Sequence, residues 1–116
     1  MNIPNLKPFD TYLICLDRLH SSYKQTESEF SQSKWEIEWC GESFDHHIKH
    51  IQSCYDSLKG NFSNFKKIYT KISNTYSSLT EYEKNIFNEN KSIYKNAKNL
   101  LDEMSSYLSI NNLYNL

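Results

Sequence analysis

Residues 35–54, WEIEWCGESFDHHIKHIQSC, set the register in which the whole chain can be read. Ile37, Phe44 and Ile51 fall seven apart, with Ile48 between them. The recurrence continues outward, back through Phe30, Tyr23 and Leu16 to Phe9. It runs forward through Leu58, Phe65, Ile72, Leu79, Ile86, Ile93, Leu100 and Tyr107 to Tyr114. With 38% apolar residues, a run of sixteen such positions arises by chance in about one sequence in a million, so it is a design feature. A seven-residue period marks helices packed at shallow angles. A single rod of this length would reach about 150 Å, and the chain carries turn signals along its length. The expectation is an all-α antiparallel bundle of three or four amphipathic helices sharing an aromatic/aliphatic seam.

The helix limits follow from local chemistry. Residues 1–7 read as a loose lead-in, and Pro8 suits a first helical turn, where its missing N–H costs nothing. Phe9, Tyr12, Leu13, Leu16, Leu19 and Tyr23 then recur at spacings of three and four. Residues 24–34, KQTESEFSQSK, are polar and Ser-rich, which suggests a linker, with Ser33 and Glu36 placed as a capping box for a second helix. Gly60-Asn61 reads as the next break, because glycine after a helix end takes the left-handed conformation cheaply. Thr80 and Glu83 form the clearest capping box and predict a last helix through Leu108, with residues 111–116 as a loose end.

The totals narrow the rest. A chain of 116 residues makes one domain, and only two glycines and two prolines leave little material for the turns of a sheet. Three cysteines, at positions 15, 40 and 54, fit neither a disulfide framework nor a CxxC metal knuckle and favour a reducing compartment. The start, MNIPNLKPFDTYLICLDRL, has no basic region followed by a long apolar run, and no stretch approaches a membrane span, so the expectation is a cytoplasmic protein with no membrane partner. The net charge is −1, but residues 1–58 carry five Lys/Arg against nine Asp/Glu, whereas residues 59–116 carry eight against five. Lys59, Lys66, Lys67 and Lys71 lie beside Phe65 and Tyr69, but those aromatics sit on the core seam. That placement gives no base-reading surface, so nucleic acid is not expected.

The seam divides residues 35–54 into two sides. Ile37, Phe44, Ile48 and Ile51 face the core; Trp35, Trp39, Glu42, His46 and His50 lie opposite, where a bundle helix meets water. Trp is a preferred anchor of protein interfaces, and Glu36, Glu38, Glu42 and Asp45 would steer a basic partner. Should the chain turn near Gly41, the two Trp rings would instead pack into the end of the bundle. His46 and His50, four apart, share one helix face with Glu42 before them and Cys54 after, a ladder that suits a transition metal once a second helix supplies a ligand. Cys40 beside Gly41, without a P-loop, GxSxG or HExxH sequence elsewhere, makes a thin case for catalysis, and no enzyme activity or cofactor is expected.

Trp39-Cys40-Gly41 followed by Phe44 resembles the WxG motif of the small helical-hairpin proteins exported by type VII secretion systems. The resemblance implies a turn between two long helices at Trp39 and Gly41, packing by Phe44, and pairing with another small helical protein. The chain departs from that family in its three cysteines, its histidine cluster and the extra capped helix after Thr80, and no Tyr-x-x-x-Asp/Glu tail follows the second helix. The leading expectation is therefore a protein-binding module, a small inhibitor of the bacterial immunity or antitoxin kind. Its acidic, Trp-bearing segment, residues 27–45, would cover a basic toxin or nuclease surface. The WxG-type partner and a metal-binding bundle using His46 and His50 are the alternatives, and the long seam also suits a homodimer.

Overall fold

Pro8 opens the first helix, with the Lys7 carbonyl accepting from the N–H groups of Asp10 and Thr11 at 2.9 and 3.2 Å. The computed structural model describes residues 7–40 and 44–113. In chain order they form α1 (Pro8–Cys40), α2 (Phe44–Asn74), a single 3₁₀ turn (Tyr76–Ser78), α3 (Glu81–Glu89) and α4 (Lys91–Leu113). All described elements are helical, and they pack as a bundle.

The side-chain pairs give the direction of each helix. Tyr12 meets Phe65, and Glu29 meets Cys54, so α1 and α2 run antiparallel. Phe62 packs on Tyr94 and Tyr69 on Phe87, so the chain reverses again after α2. Tyr12 also touches Phe87, whereas Phe30 touches Tyr107, so α4 returns in the sense of α1. The long helices thus run up, down and up, with α3 closing the end where α1 begins. The fifteen described members of the seven-residue seam all lie in the buried core or pack against it. Tyr114 lies outside the described residues.

Three local expectations are corrected. Residues 24–34 are not a linker: α1 runs straight through them to Cys40. Thr26, Phe30 and Ser33 within this stretch are buried, because small hydroxyl side chains allow α2 a close approach while Phe30 fills the seam. Ser33 is therefore a mid-helix contact and caps nothing. Gly60 likewise does not end a helix; α2 continues through it to Asn74. It sits on an exposed face with open space around the position of a Cβ atom, so neither its backbone nor its packing calls for a break. The real break follows Asn74, where the Thr75 hydroxyl donates to the Lys71 carbonyl at 3.0 Å and the 3₁₀ turn begins.

The capping box at Thr80 is present. Thr80 Oγ1 accepts from the Glu83 N–H at 3.1 Å, and the Glu83 carboxylate accepts from the Thr80 N–H at 2.9 Å. The helix it opens is shorter than the pattern suggests, for Asn90 interrupts it. The Asn90 side chain donates to the Ile86 carbonyl at 2.8 Å, which caps α3 and starts α4 one residue later. Residues 111–113 belong to α4 and are not a loose end. Residues 1–6 of the expected lead-in, and 114–116, lie outside the described residues.

An aromatic cluster fills the end of the bundle between α1, α2, α3 and the start of α4. Tyr12 lies 5.2 to 5.6 Å from Phe9, Phe65 and Phe87, and Tyr69 stacks on Tyr94 at 4.5 Å. Such pairs add to the burial of a core that holds almost no alanine and no valine. Tyr12 is fully buried, and its hydroxyl meets no hydrogen-bond partner among the described residues. Burial pushes its pKa up to about 12, with Tyr69 nearby adding to the shift.

Candidate functional site

The far end of α1 carries two features back to back: an exposed tryptophan face, and a polar seam against α2. Trp35 and Trp39 lie one turn apart and are 53% and 74% exposed. Both stand clear of the core, as the seam register requires, and Trp39 does not fold into the bundle end. A shallow open depression beside them, about 500 Å³, is lined by Ser28, Ser31, Gln32 and Trp35. Glu38, Asp45 and His46 are exposed as well. Glu42, with Gly41, falls outside the described residues, so its expected place on this face, like the expected turn at Gly41, lies outside them too. What is described is that α1 reaches Cys40 and α2 starts at Phe44.

The polar seam runs along the other flank of α1. Glu36 accepts from or pairs with His47 Nε2 at 3.1 Å, both half-buried. One heptad earlier on α1, Glu29 approaches His50 Nε2 at 3.8 Å and accepts the Cys54 thiol hydrogen bond at 3.2 Å. Cys54 Sγ and His50 Nε2 are 3.6 Å apart on consecutive turns of α2. Burial, followed by the hydrogen bond to Glu29 and its charge, pushes the Cys54 thiol up to about 11. A reactive nucleophile needs the opposite shift, so Cys54 rests as a thiol at neutral pH.

The arrangement re-sorts the residues singled out from the sequence. Trp35, Trp39, Glu38 and Asp45 are exposed. Glu36, His46 and His50 instead line the α1–α2 seam together with Glu29 and His47, with His46 edge-on to His47 at 5.6 Å. The ladder of His46 with His50 is thus replaced by Glu29, His50 and Cys54. Glu29 and His47 were missed, yet a signal exists for both. Glu29 and Glu36 are seven apart, as are His47 and Cys54. In an antiparallel hairpin such equal steps bring 29 opposite 54 and 36 opposite 47. The apolar heptad fixes the polar one beside it.

No family model, curated protein or solved structure matches this chain.

Proposed function

We propose that this chain is a non-enzymatic protein-binding module, a small inhibitor of the immunity or antitoxin kind, which docks on a basic surface through the Trp35–Trp39 face of α1. The observation that carries the reading is the exposure of two tryptophans one turn apart, 53% and 74%, on a helix that buries Phe9, Tyr12, Leu16, Leu19 and Phe30. Tryptophan is a favoured anchor at interfaces, where a rigid ring buries a large area at little entropic cost. Glu27, Glu38 and Asp45 carry exposed carboxylates, with Glu27 accepting from the Tyr23 hydroxyl. Glu36 and Glu29 are occupied by His47 and His50, and serve the fold of the hairpin more than the partner. Exposed carboxylates around apolar anchors favour a basic partner and speed its approach at low salt.

A capture experiment tests this reading. The full chain, immobilised, is compared with a variant replacing Trp35, Trp39, Glu38 and Glu42 together. The wild type retains a basic protein that elutes with rising salt; the variant, with an unchanged helical spectrum, does not. Equal capture by both overturns the proposal.

One observation supports the WxG-type reading as a second possibility. α1 and α2 form an antiparallel hairpin whose helices end at Cys40 and restart at Phe44, and Phe44 packs against the core. Phe44 is the packing residue the resemblance implies, whereas Trp39, which it puts in the turn, lies within α1, and Gly41 lies outside the described residues. Against it, α4 lies along the same hairpin, and α3 closes its end. A small helical partner, bound without salt dependence, would favour this second reading over the first.

A further inference from the structure

Two helices bring three different metal-ligating side chains to one point. Glu29 comes from α1; His50 and Cys54 come from consecutive turns of α2. One ligand atom from each lies within 4.8 Å of the other two. The closest approaches are 3.2 Å from Sγ to a Glu29 oxygen, 3.6 Å from Sγ to His50 Nε2, and 3.8 Å from Nε2 to the other Glu29 oxygen. Zinc bonds of about 2.3 Å to sulfur and about 2.0–2.2 Å to nitrogen and oxygen, in a tetrahedron, set the ligand atoms about 3.4–3.6 Å apart. The three side chains therefore already stand near the edges of such a tetrahedron.

We propose that Glu29, His50 and Cys54 form a transition-metal site of the zinc class that staples α1 to α2. The ligand set decides the class: a thiolate and an imidazole prefer zinc or cobalt to magnesium or calcium, which take oxygen ligands. Three protein ligands leave one tetrahedral position for water. The cluster forms part of the wall of an open recess of about 210 Å³, whose other lining residues are Ser22, Gln25, Thr26, Ser53 and Ser57. That wall is polar enough to hold the water, and no further protein ligand is required. On binding, the Cys54 thiol loses its proton to solvent and its hydrogen bond to Glu29 is exchanged for two bonds to the metal, one from each residue. The metal then links residues 25 positions apart and adds to the stability of the hairpin by mass action. This site is independent of the tryptophan face, which lies on another flank of α1.

The test uses the full chain, purified without a tag and stripped with a chelator. Zinc is titrated by calorimetry, and cobalt by absorption. The wild type binds one equivalent of zinc, melts at a higher temperature when loaded, and with cobalt shows thiolate-to-metal charge transfer. Cys54→Ser removes that absorption. Glu29→Gln and His50→Gln, at partly exposed positions that keep the fold, each weaken zinc binding by roughly tenfold or more. His46→Gln leaves it unchanged. Cobalt binding without the thiolate band, or zinc affinity indifferent to Glu29→Gln and His50→Gln, means adventitious capture by surface histidines and overturns the proposal. Capture of a basic protein through Trp35 and Trp39 is a separate result, whichever way the metal titration falls.

Discussion

A buried hydroxyl costs free energy unless it finds a partner, and Tyr12 carries one that finds none among the described residues. Tyr12→Phe keeps the ring among Phe9, Phe65 and Phe87 while removing that cost. Urea unfolding should show it unchanged or more stable by about 1 kcal/mol. Cys54 adds a pH dependence of known sign. Its folded pKa is raised from an ordinary 9.0 to about 11, so between these values the unfolded chain has lost a proton that the folded chain retains. Stability is full below about pH 9 and falls as pH rises toward 11. Tyr12 repeats the effect between 10.0 and about 12. Unfolding measured from pH 7 upward should decline through this window, and Tyr12→Phe should flatten its upper part. At this scale the sequence was legible for Trp35 and Trp39, whose outward aim follows from the seam. Cys54 was legible as part of the histidine ladder, but Glu29 was less so, because its seven-residue step to Glu36 gains meaning only once α1 and α2 are paired antiparallel.

Among the elements, α2 illustrates why composition misleads about breaks. Glycine favours a helix end only where the backbone takes the left-handed conformation, and Gly60 instead lies inside a 31-residue helix. Gly60→Ala therefore reduces the freedom of the unfolded chain and meets open space in the folded one. It should stabilise the protein by about 0.5–1 kcal/mol, measured by thermal or urea unfolding; a loss would mean that α2 is interrupted there. The same reasoning explains residues 24–34. Their Ser and Thr content resembles a loop, yet Thr26, Phe30 and Ser33 face inward at helical spacing, and tertiary packing overrides weak propensity. Thr80 was legible because a capping box is a local, reciprocal pair of hydrogen bonds. Asn90 was not, since the break there arises from one side chain folding back on the Ile86 carbonyl.

The whole molecule is an elongated bundle, 53 by 34 by 22 Å. Its long axis matches the roughly 50 Å of a 33-residue helix, so α1 spans it from end to end. This geometry separates a structural end, where the aromatic cluster closes under α3, from an end that presents Trp39. Substitutions at the two ends should differ in kind. Phe65→Ala removes a fully buried ring from the junction of the cluster and should cost about 3–5 kcal/mol in an unfolding measurement. Trp39→Ala, at a position 74% exposed, should stay within about 0.5 kcal/mol. The seven-residue seam was legible at this scale from end to end, because every helix obeys one period. The antiparallel folding was legible as well, but the break after Asn74 was not, since the seam runs from Ile72 to Leu79 without interruption.

The proposed docking face of Trp35 and Trp39 is open in the free chain and would be covered in a complex. Fluorine NMR of the chain labelled with fluorotryptophan reads both rings directly, since the protein has only two. With the chain alone, two resonances should show the solvent sensitivity of exposed rings. On adding the basic protein captured by the wild type, both should shift and lose that sensitivity. Rings already shielded in the free chain, or rings that remain exposed in the complex, would overturn the proposed docking face.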